Sequence, residues 1–431
     1  MRRAVLGLFA AIQLFGAGPR IGTFKADATP EMGEPLIWVT PTTKVEDPLW
    51  AKGVVIDDGR ARYVLCALDW CGIGGSTYAL FRNKVAQAAG VDVTHVRIQT
   101  IHQHTAPYID GDAYALMRKV MPTVPLLMSD GFLERVTDRL AAAVRDACGR
   151  MQPFDQVGTG TARVEQVASQ RRIIKNGKVL TRYSSSGKDP AMAAEPEGFI
   201  DPDVRTVTFA RGKQPIVRLH FYATHPQTFC CDGRVSADFV GAAREAVEAA
   251  EKIPQVYFTG CSGNVTVGKY NDGQEPARRE LAKRLEAALR ASAAATQYAP
   301  AGKLVWRSVP LEMPKKPGQQ VAGLTGQAAY RAAISAAFAE RRKPIDVASL
   351  GVGGAEMVFL PGEPFLEYQK YAQGLGKFVA VAGYGDISPG YICTDRAHGE
   401  GGYEPSASEV GPGTEAAVKE AIRELLGRQA R

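Results

Sequence analysis

Val96-Arg97-Ile98-Gln99-Thr100-Ile101-His102-Gln103-His104 reads as a buried strand that ends in two histidines, with the loop Thr105-Ala106-Pro107 directly behind it. Side chains alternate across a strand, so Val96, Ile98, Thr100, His102 and His104 fall on one face, and the apolar start of that face turns it inward. Two imidazoles then arrive together at a strand tip, where the strand fixes the rings and the loop leaves room for substrate. A second stretch is built alike. In Val217-Arg218-Leu219-His220-Phe221-Tyr222-Ala223-Thr224-His225-Pro226, the residues Val217, Leu219, Phe221, Ala223 and His225 share a face, and Pro226 stops the strand. A lone His-x-His at a strand end is as readily two polar residues at a wet edge. Three of only six histidines placed in this way argue for a site.

Outward from these stretches the chain alternates strand-like runs with amphipathic helices. Helical periodicity covers 78–89, 130–148 with Asp130 as a cap, 236–251 with Ser236 as a cap, 275–295, 327–342 and 414–426. Apolar runs at Val256-Tyr257-Phe258, Met357-Val358-Phe359-Leu360 and Phe378-Val379-Ala380-Val381 read as further strands. Interleaving of this kind implies a layered α/β or α+β domain. No internal repeat is legible. The chain has 431 residues, 45% hydrophobic and 23% charged, which suffices for one large core or two intimate ones.

Several classes are disfavoured. The net charge of +7 is spread along the chain without a run of five or six basic residues, which argues against a nucleic-acid partner. The seven cysteines form no Cys-x-x-Cys pair, so a thiolate metal site is not expected, and the adjacent Cys230 and Cys231 read as two separate small residues. Arg2-Arg3 precede an apolar stretch from Ala4 to Phe15, broken only by Gln13, and then Gly16-Ala17-Gly18. That pattern reads as a signal peptide over residues 1–20 of a secreted or periplasmic protein; the competing reading is a buried first element of a cytoplasmic one. No other stretch approaches the ~20 apolar residues that span a bilayer.

Two late segments carry chemistry. Pro361-Gly362-Glu363-Pro364-Phe365 presents a carboxylate at a strand end, and Gly383-Tyr384-Gly385-Asp386-Ile387-Ser388-Pro389-Gly390-Tyr391 is followed by Tyr403-Glu404 in a second glycine-rich loop. Separately, these are a solvated turn and tyrosines that stiffen loops. Together, histidines and a carboxylate at strand ends form the N/O ligand set that suits Zn²⁺ with an open position.

On these residues the chain resembles the neutral/alkaline (non-lysosomal) ceramidases, zinc amidases that cleave the N-acyl bond of ceramide. Ala26-Asp27-Ala28-Thr29-Pro30 is similar to that family's opening Asp-x-Thr-Pro, and His102-Gln103-His104-Thr105-Ala106-Pro107 to its His-Thr-His-Ser-Gly-Pro. His225, Pro361-Gly362-Glu363, and Tyr391 with Tyr403 twelve residues later continue the pattern in order, over nearly the whole chain after residue 21. The resemblance implies a mixed α/β (α+β) fold, a layered domain of two mixed β-sheets packed with surrounding helices. It implies one Zn²⁺ held by His102, His225, Glu363 and Tyr391. His104 and Tyr403 would flank the scissile carbonyl. Gln170-Arg171-Arg172 is similar to a mid-chain Asn-Arg-Ser stretch, so Arg171 would line the site as well. The implied substrate is a lipid or other small-molecule amide, met at most through transient contact with a membrane surface. Metal-bound water would be the nucleophile, with His104 as proton carrier and Tyr403 as donor to the oxyanion.

The chain also departs from that pattern. The family's Gly-Asp-x-Ser-Pro-Asn stands here as Gly263-Asn264-Val265-Thr266-Val267-Gly268, and the region 21–431 leaves no room for a C-terminal β-sandwich domain. Ceramide itself is therefore one candidate among N-acyl amides. Two rival readings stay open: a metal-free hydrolase using the turn Val256-Tyr257-Phe258-Thr259-Gly260-Cys261-Ser262-Gly263, and a non-catalytic binding protein on the same fold.

Overall fold

In the computed structural model, described over residues 18–122 and 128–427, one strand arrangement occurs three times. In the first, Arg20–Asp27 pairs antiparallel with Trp50–Asp57, which pairs antiparallel with Arg62–Leu68, which pairs parallel with Val96–Thr100. In the second the same roles fall to Gln156–Arg163, Asp203–Arg211, Gln214–Tyr222 and Gln255–Thr259. In the third they fall to Val305–Leu311, Ile345–Val352, Ala355–Phe359 and Val379–Ala382. A parallel neighbour requires a crossover, and each unit uses a helix for it: Gly75–Ala89, Asp238–Glu251 and Leu366–Gly374. A second helix follows each unit, Phe132–Gly149, Glu275–Ala294 and Thr414–Leu425. Each packs on its unit's crossover helix and against its unit's first strand.

The mixed α/β architecture agrees with the expectation, with three principal sheets where two were expected and with an internal repeat that the sequence does not display. Only the spacing of apolar positions recurs among the units, so the residues themselves give no self-similarity. Alternation places the first and third sheets each between two apolar clusters, while the second sheet and its helices lie within the central one. Leu65 and Ala67 join Val207, Leu219, Met357 and Phe359 in one apolar cluster shared by all three sheets. Val64, Cys66 and Leu68 face the helices of the first unit, and Val358 and Leu360 those of the third.

Several boundaries differ from the sequence reading. The first histidine-bearing strand ends at Thr100 and the second at Tyr222, so His102, His104 and His225 lie on loops beyond the strand tips. The alternating apolar pattern runs on because these loops are buried, not because the hydrogen-bond ladder continues. Helix Phe132–Gly149 begins after Gly131, whose φ of 75° makes the turn, and Asp130 does not cap it. Ser236 does act at its helix start, where its hydroxyl accepts from the Asp238 amide at 3.0 Å. The apolar segment read as a signal falls, up to residue 17, outside the described residues. Among the described residues no helix is long and apolar enough to cross a membrane.

Candidate metal centre

The three units deliver their chemistry from the same place, just past the ends of their parallel-paired strands. Beyond Thr100, the amides of Ile101 and His102 bond the carbonyls of Leu68 and Trp70, and His102 adopts φ 69°. A left-handed conformation at a residue with a bulky side chain is uncommon and is held only where the surroundings enforce it. Beyond Tyr222, His225 is fixed by a bond from its amide to Val265. Beyond Phe359, Gly362 (φ 59°) turns the chain so that Glu363 pairs with Tyr391 in a short parallel ladder. A side chain at Gly362 would meet the Gly390 carbonyl at 2.7 Å, and one at Gly263 would meet the Glu363 carbonyl at 2.3 Å, so the close approach of these loops depends on both glycines.

The outcome is a buried convergence. Glu363 Oε2 stands 3.1 Å from His225 Nε2 and 3.3 Å from His102 Nε2. His102 Nδ1 lies 2.6 Å from the Cys71 carbonyl oxygen, and His225 Nδ1 lies 2.7 Å from that of Ser262. A carbonyl can only accept, so each Nδ1 carries a proton, and in the neutral ring the Nε2 lone pair is left for a metal. These three residues form a group able to hold a metal ion. His104 Nε2 is 3.3 Å from His102 Nε2. His104 also belongs to a second such group, with Cys71 and His102. There the Cys71 sulfur lies 3.8 Å from His102 Nδ1, the ring edge already engaged by the carbonyl, so the His102, His225 and Glu363 group is the better cage.

The protonation states agree with that choice. Burial, with the Arg171 charge second, pushes His225 down to about 3, and burial with His102 and His225 nearby pushes His104 well below the usual imidazole range. Burial alone would raise Glu363, but the two histidines against it hold its carboxyl well below the ordinary value. A neutral His225 beside an ionised Glu363 suits a divalent cation.

The remaining residues singled out by sequence gather here too. Arg171 Nη1 donates to Tyr391 Oη at 2.8 Å and to the Gly263 carbonyl at 3.2 Å. The Tyr391 and Tyr403 rings meet edge to face at 5.7 Å. The altered segment around Thr266 proves to be a support: Ser169-Gln170 pairs with Val265-Thr266, and the Arg171 amide bonds the Asn264 carbonyl, which aims Arg171 inward.

Three features escaped the sequence reading. Tyr384 stacks on the His102 ring at 4.3 Å, with its hydroxyl 2.7 Å from Ser262 Oγ. Its flanking glycines were a signal that a backbone turn there had a purpose. Glu404, fully buried, bonds Arg172 at 2.9 Å and stands 4.0 Å from Arg171. Cys230 and Cys231, expected to be separate, are joined by a disulfide. The φ of 63° at Cys231 folds these neighbours to one side, and the Cys230 sulfur lies 3.9 Å from His104 Nδ1. In the rival Cys261-Ser262 turn, Cys261 is fully buried with its thiol pushed far up by burial, and Ser262 is committed to Tyr384. Neither lines the cavity over the histidines. That cavity, of about 520 Å³, is lined by His102, His104, Arg171, Glu363, Tyr391 and Tyr403, and by Trp38, Leu324 and Arg331 among others.

Comparison with solved structures shows the same architecture elsewhere. Neutral ceramidase from Pseudomonas aeruginosa superimposes with a TM-score of 0.74 at 17% identity, over 96% of this chain and 76% of that one. The chain has the neutral ceramidase fold. A ceramidase complexed with C2 superimposes on the neutral ceramidase fold of this chain equally well, with a TM-score of 0.72 at 16% identity and the same coverage of both chains. No family model and no curated protein sequence matches the chain. At this identity the neutral ceramidase fold is shared while most side chains are not, so the chemistry must be argued from the site.

Proposed function

We propose that the protein is a zinc-dependent amidohydrolase that cleaves an N-acyl amide, as ceramidases do. The observation that carries the reading is the convergence of His102 Nε2 and His225 Nε2 on Glu363 Oε2, with both Nδ1 atoms tied to backbone carbonyls. His102, His225 and Glu363, with Tyr391 as the fourth and weakest donor, would hold one Zn²⁺ per chain. Bound there, the ion would supply a water of lowered pKa and polarise the scissile carbonyl.

The other roles belong to the chain itself. His104, neutral and beside His102 without belonging to the trio, takes a proton from the attacking water and passes it to the leaving amine. Tyr403 donates to the carbonyl oxygen as charge develops on it. Arg171 anchors the Tyr391 hydroxyl and is itself held by Gly263 and Glu404. Tyr183 and Leu324, exposed at 63% and 37%, line the same cavity and support an acyl chain entering from a lipid surface. The N-terminal apolar segment supports an exported enzyme.

The test is hydrolysis of a fluorogenic N-acyl amide by purified protein, before and after chelation, together with His104→Ala. Activity should vanish with the chelator and return with Zn²⁺. His104→Ala should keep its metal and lose roughly a hundredfold or more in rate, the usual scale for a positioned acid/base. Undiminished hydrolysis in the chelated protein would overturn the reading.

A further inference from the structure

The cavity wall away from the metal-binding trio carries an arginine without a direct ion pair. Arg331 projects from helix Gly326–Glu340, half-buried, with its guanidinium 4.8 Å above the ring of Trp38. Among the described residues no carboxylate comes within 4.0 Å of it. The contrast with its neighbours is sharp: Arg171 and Arg172 both lean on Glu404, and Arg172 on Glu400 as well. The carboxylate on the same wall, Glu409, is hydrogen-bonded to Ser335 and acts on Arg331 only through space, without a direct ion pair. A partly desolvated guanidinium stacked on an aromatic ring keeps its planar fork free for a carboxylate.

Its platform is built at a cost. Trp38 and Val39 adopt φ values of 58° and 54°, a left-handed pair of residues with bulky side chains. Such a conformation is unfavourable for a bulky residue and persists where the surroundings over-determine it. Here the Ile37 amide bonds the Ala106 carbonyl, two residues past His104, and the Trp38 ring stacks on Tyr108 at 5.6 Å. The platform is thus tied to the loop that carries the proposed proton carrier. Strain of this kind, invested in aiming one indole under one arginine inside a cavity, points to a recognition element.

Resting on the amidase reading above, we propose that Arg331 on its Trp38 platform binds a carboxylate of the substrate, so that the preferred substrates are N-acyl amino acids: one acyl chain joined through the scissile amide to an amine that bears a carboxylate. The cavity volume of about 520 Å³ lies within the roughly 300–1,000 Å³ typical of sites for single small molecules. Arg331 and Trp38 act here as specificity determinants, not as participants in bond cleavage.

The experiment compares kcat/KM of the zinc-loaded enzyme for N-dodecanoylglycine and N-dodecanoyl-4-aminobutyrate with that for the uncharged N-dodecanoylethanolamine. Wild-type protein should favour at least one of the two carboxylated amides. Arg331→Gln should cut the ratio of carboxylated to uncharged kcat/KM by roughly tenfold to a hundredfold, mostly through KM, the scale of a charge-assisted hydrogen bond. Arg331→Lys should restore part of the ratio. Absence of a wild-type preference, or a ratio that Arg331→Gln leaves unchanged, would overturn the proposal while leaving the amidase reading intact. Calorimetric binding of N-dodecanoylglycine separates the two claims from the other side. Binding that weakens in Arg331→Gln, in a protein that hydrolyses none of the three amides, would sink the amidase reading and sustain the carboxylate site.

Discussion

His220 shows how differently two histidines on one apolar run behave. It lies in the strand proper, with Nδ1 2.8 Å from Thr206 Oγ1 and Nε2 2.7 Å from Gln255 Oε1, and makes no contact with the metal-binding trio. Burial pushes its pKa down to about 4. The unfolded chain titrates near 6.5, so the folded state favours neutral His220; this contribution is complete above about pH 6.5 and is lost as pH falls toward 4. Its full size is on the order of 3 kcal/mol. Urea unfolding from pH 7 to pH 4 should show stability falling with pH, and His220→Gln should flatten part of that slope; equal slopes would contradict the assignment. Residue identities were the most legible level of the sequence. His102, His104, His225, Glu363, Tyr391, Tyr403 and Arg171 all stand in or beside one cavity because their chemistry is carried by side chains. Tyr384, the Cys71 and Ser262 carbonyls and the Cys230–Cys231 link were not legible, since backbone acceptors and ring stacking leave no signature in residue type.

The long helices were read well, but Gly111–Val120 and the short crossover helix Leu366–Gly374 were missed and strand ends were read poorly. A helix stops where its periodicity stops, but buried loops such as Ile101–Gln103 and Ala223–Thr224 carry the same apolar residues as the strands they follow, so alternation alone overruns the true ends. What fixes the loops is glycine. Gly362 (φ 59°) lies between the third sheet and Glu363, with the Gly390 carbonyl in the space a Cβ would take. Gly362→Ala should therefore strain the turn by about 1–2 kcal/mol and move Glu363 away from His102 and His225. Gly354→Ala is the control, with φ 84° and nothing within 4 Å of its Cβ, so it carries the backbone penalty alone. In a chelator competition Gly362→Ala should release metal at least tenfold more readily than Gly354→Ala. Identical retention would mean that the turn does not set the geometry.

At the scale of the molecule, three copies of one strand and helix pattern surround a common core, and the candidate site draws on loops of all three. The first unit gives His102 and His104, the second His225, the third Glu363 and Tyr384. Such an assembly explains how Glu363 reaches His225, 138 positions away, at 3.1 Å and His102 at 3.3 Å: the repeated fold brings the ends of parallel-paired strands together, and each unit has specialised its own loops. The repeat stayed hidden because the shared feature is a pattern of burial, while the loops at the centre carry different sets of side chains. The account's central claim is that this convergence is a metal centre. Metal content of the purified protein, by elemental analysis of the wild type and of His102→Ala, His225→Ala, Glu363→Ala and Tyr391→Phe, tests it most directly. About one zinc per chain is expected in the wild type, with most of it lost in the first three variants and less in Tyr391→Phe, because a phenol is the poorest donor of the four. A wild type free of metal after zinc loading, or full occupancy in all of His102→Ala, His225→Ala and Glu363→Ala, would contradict it.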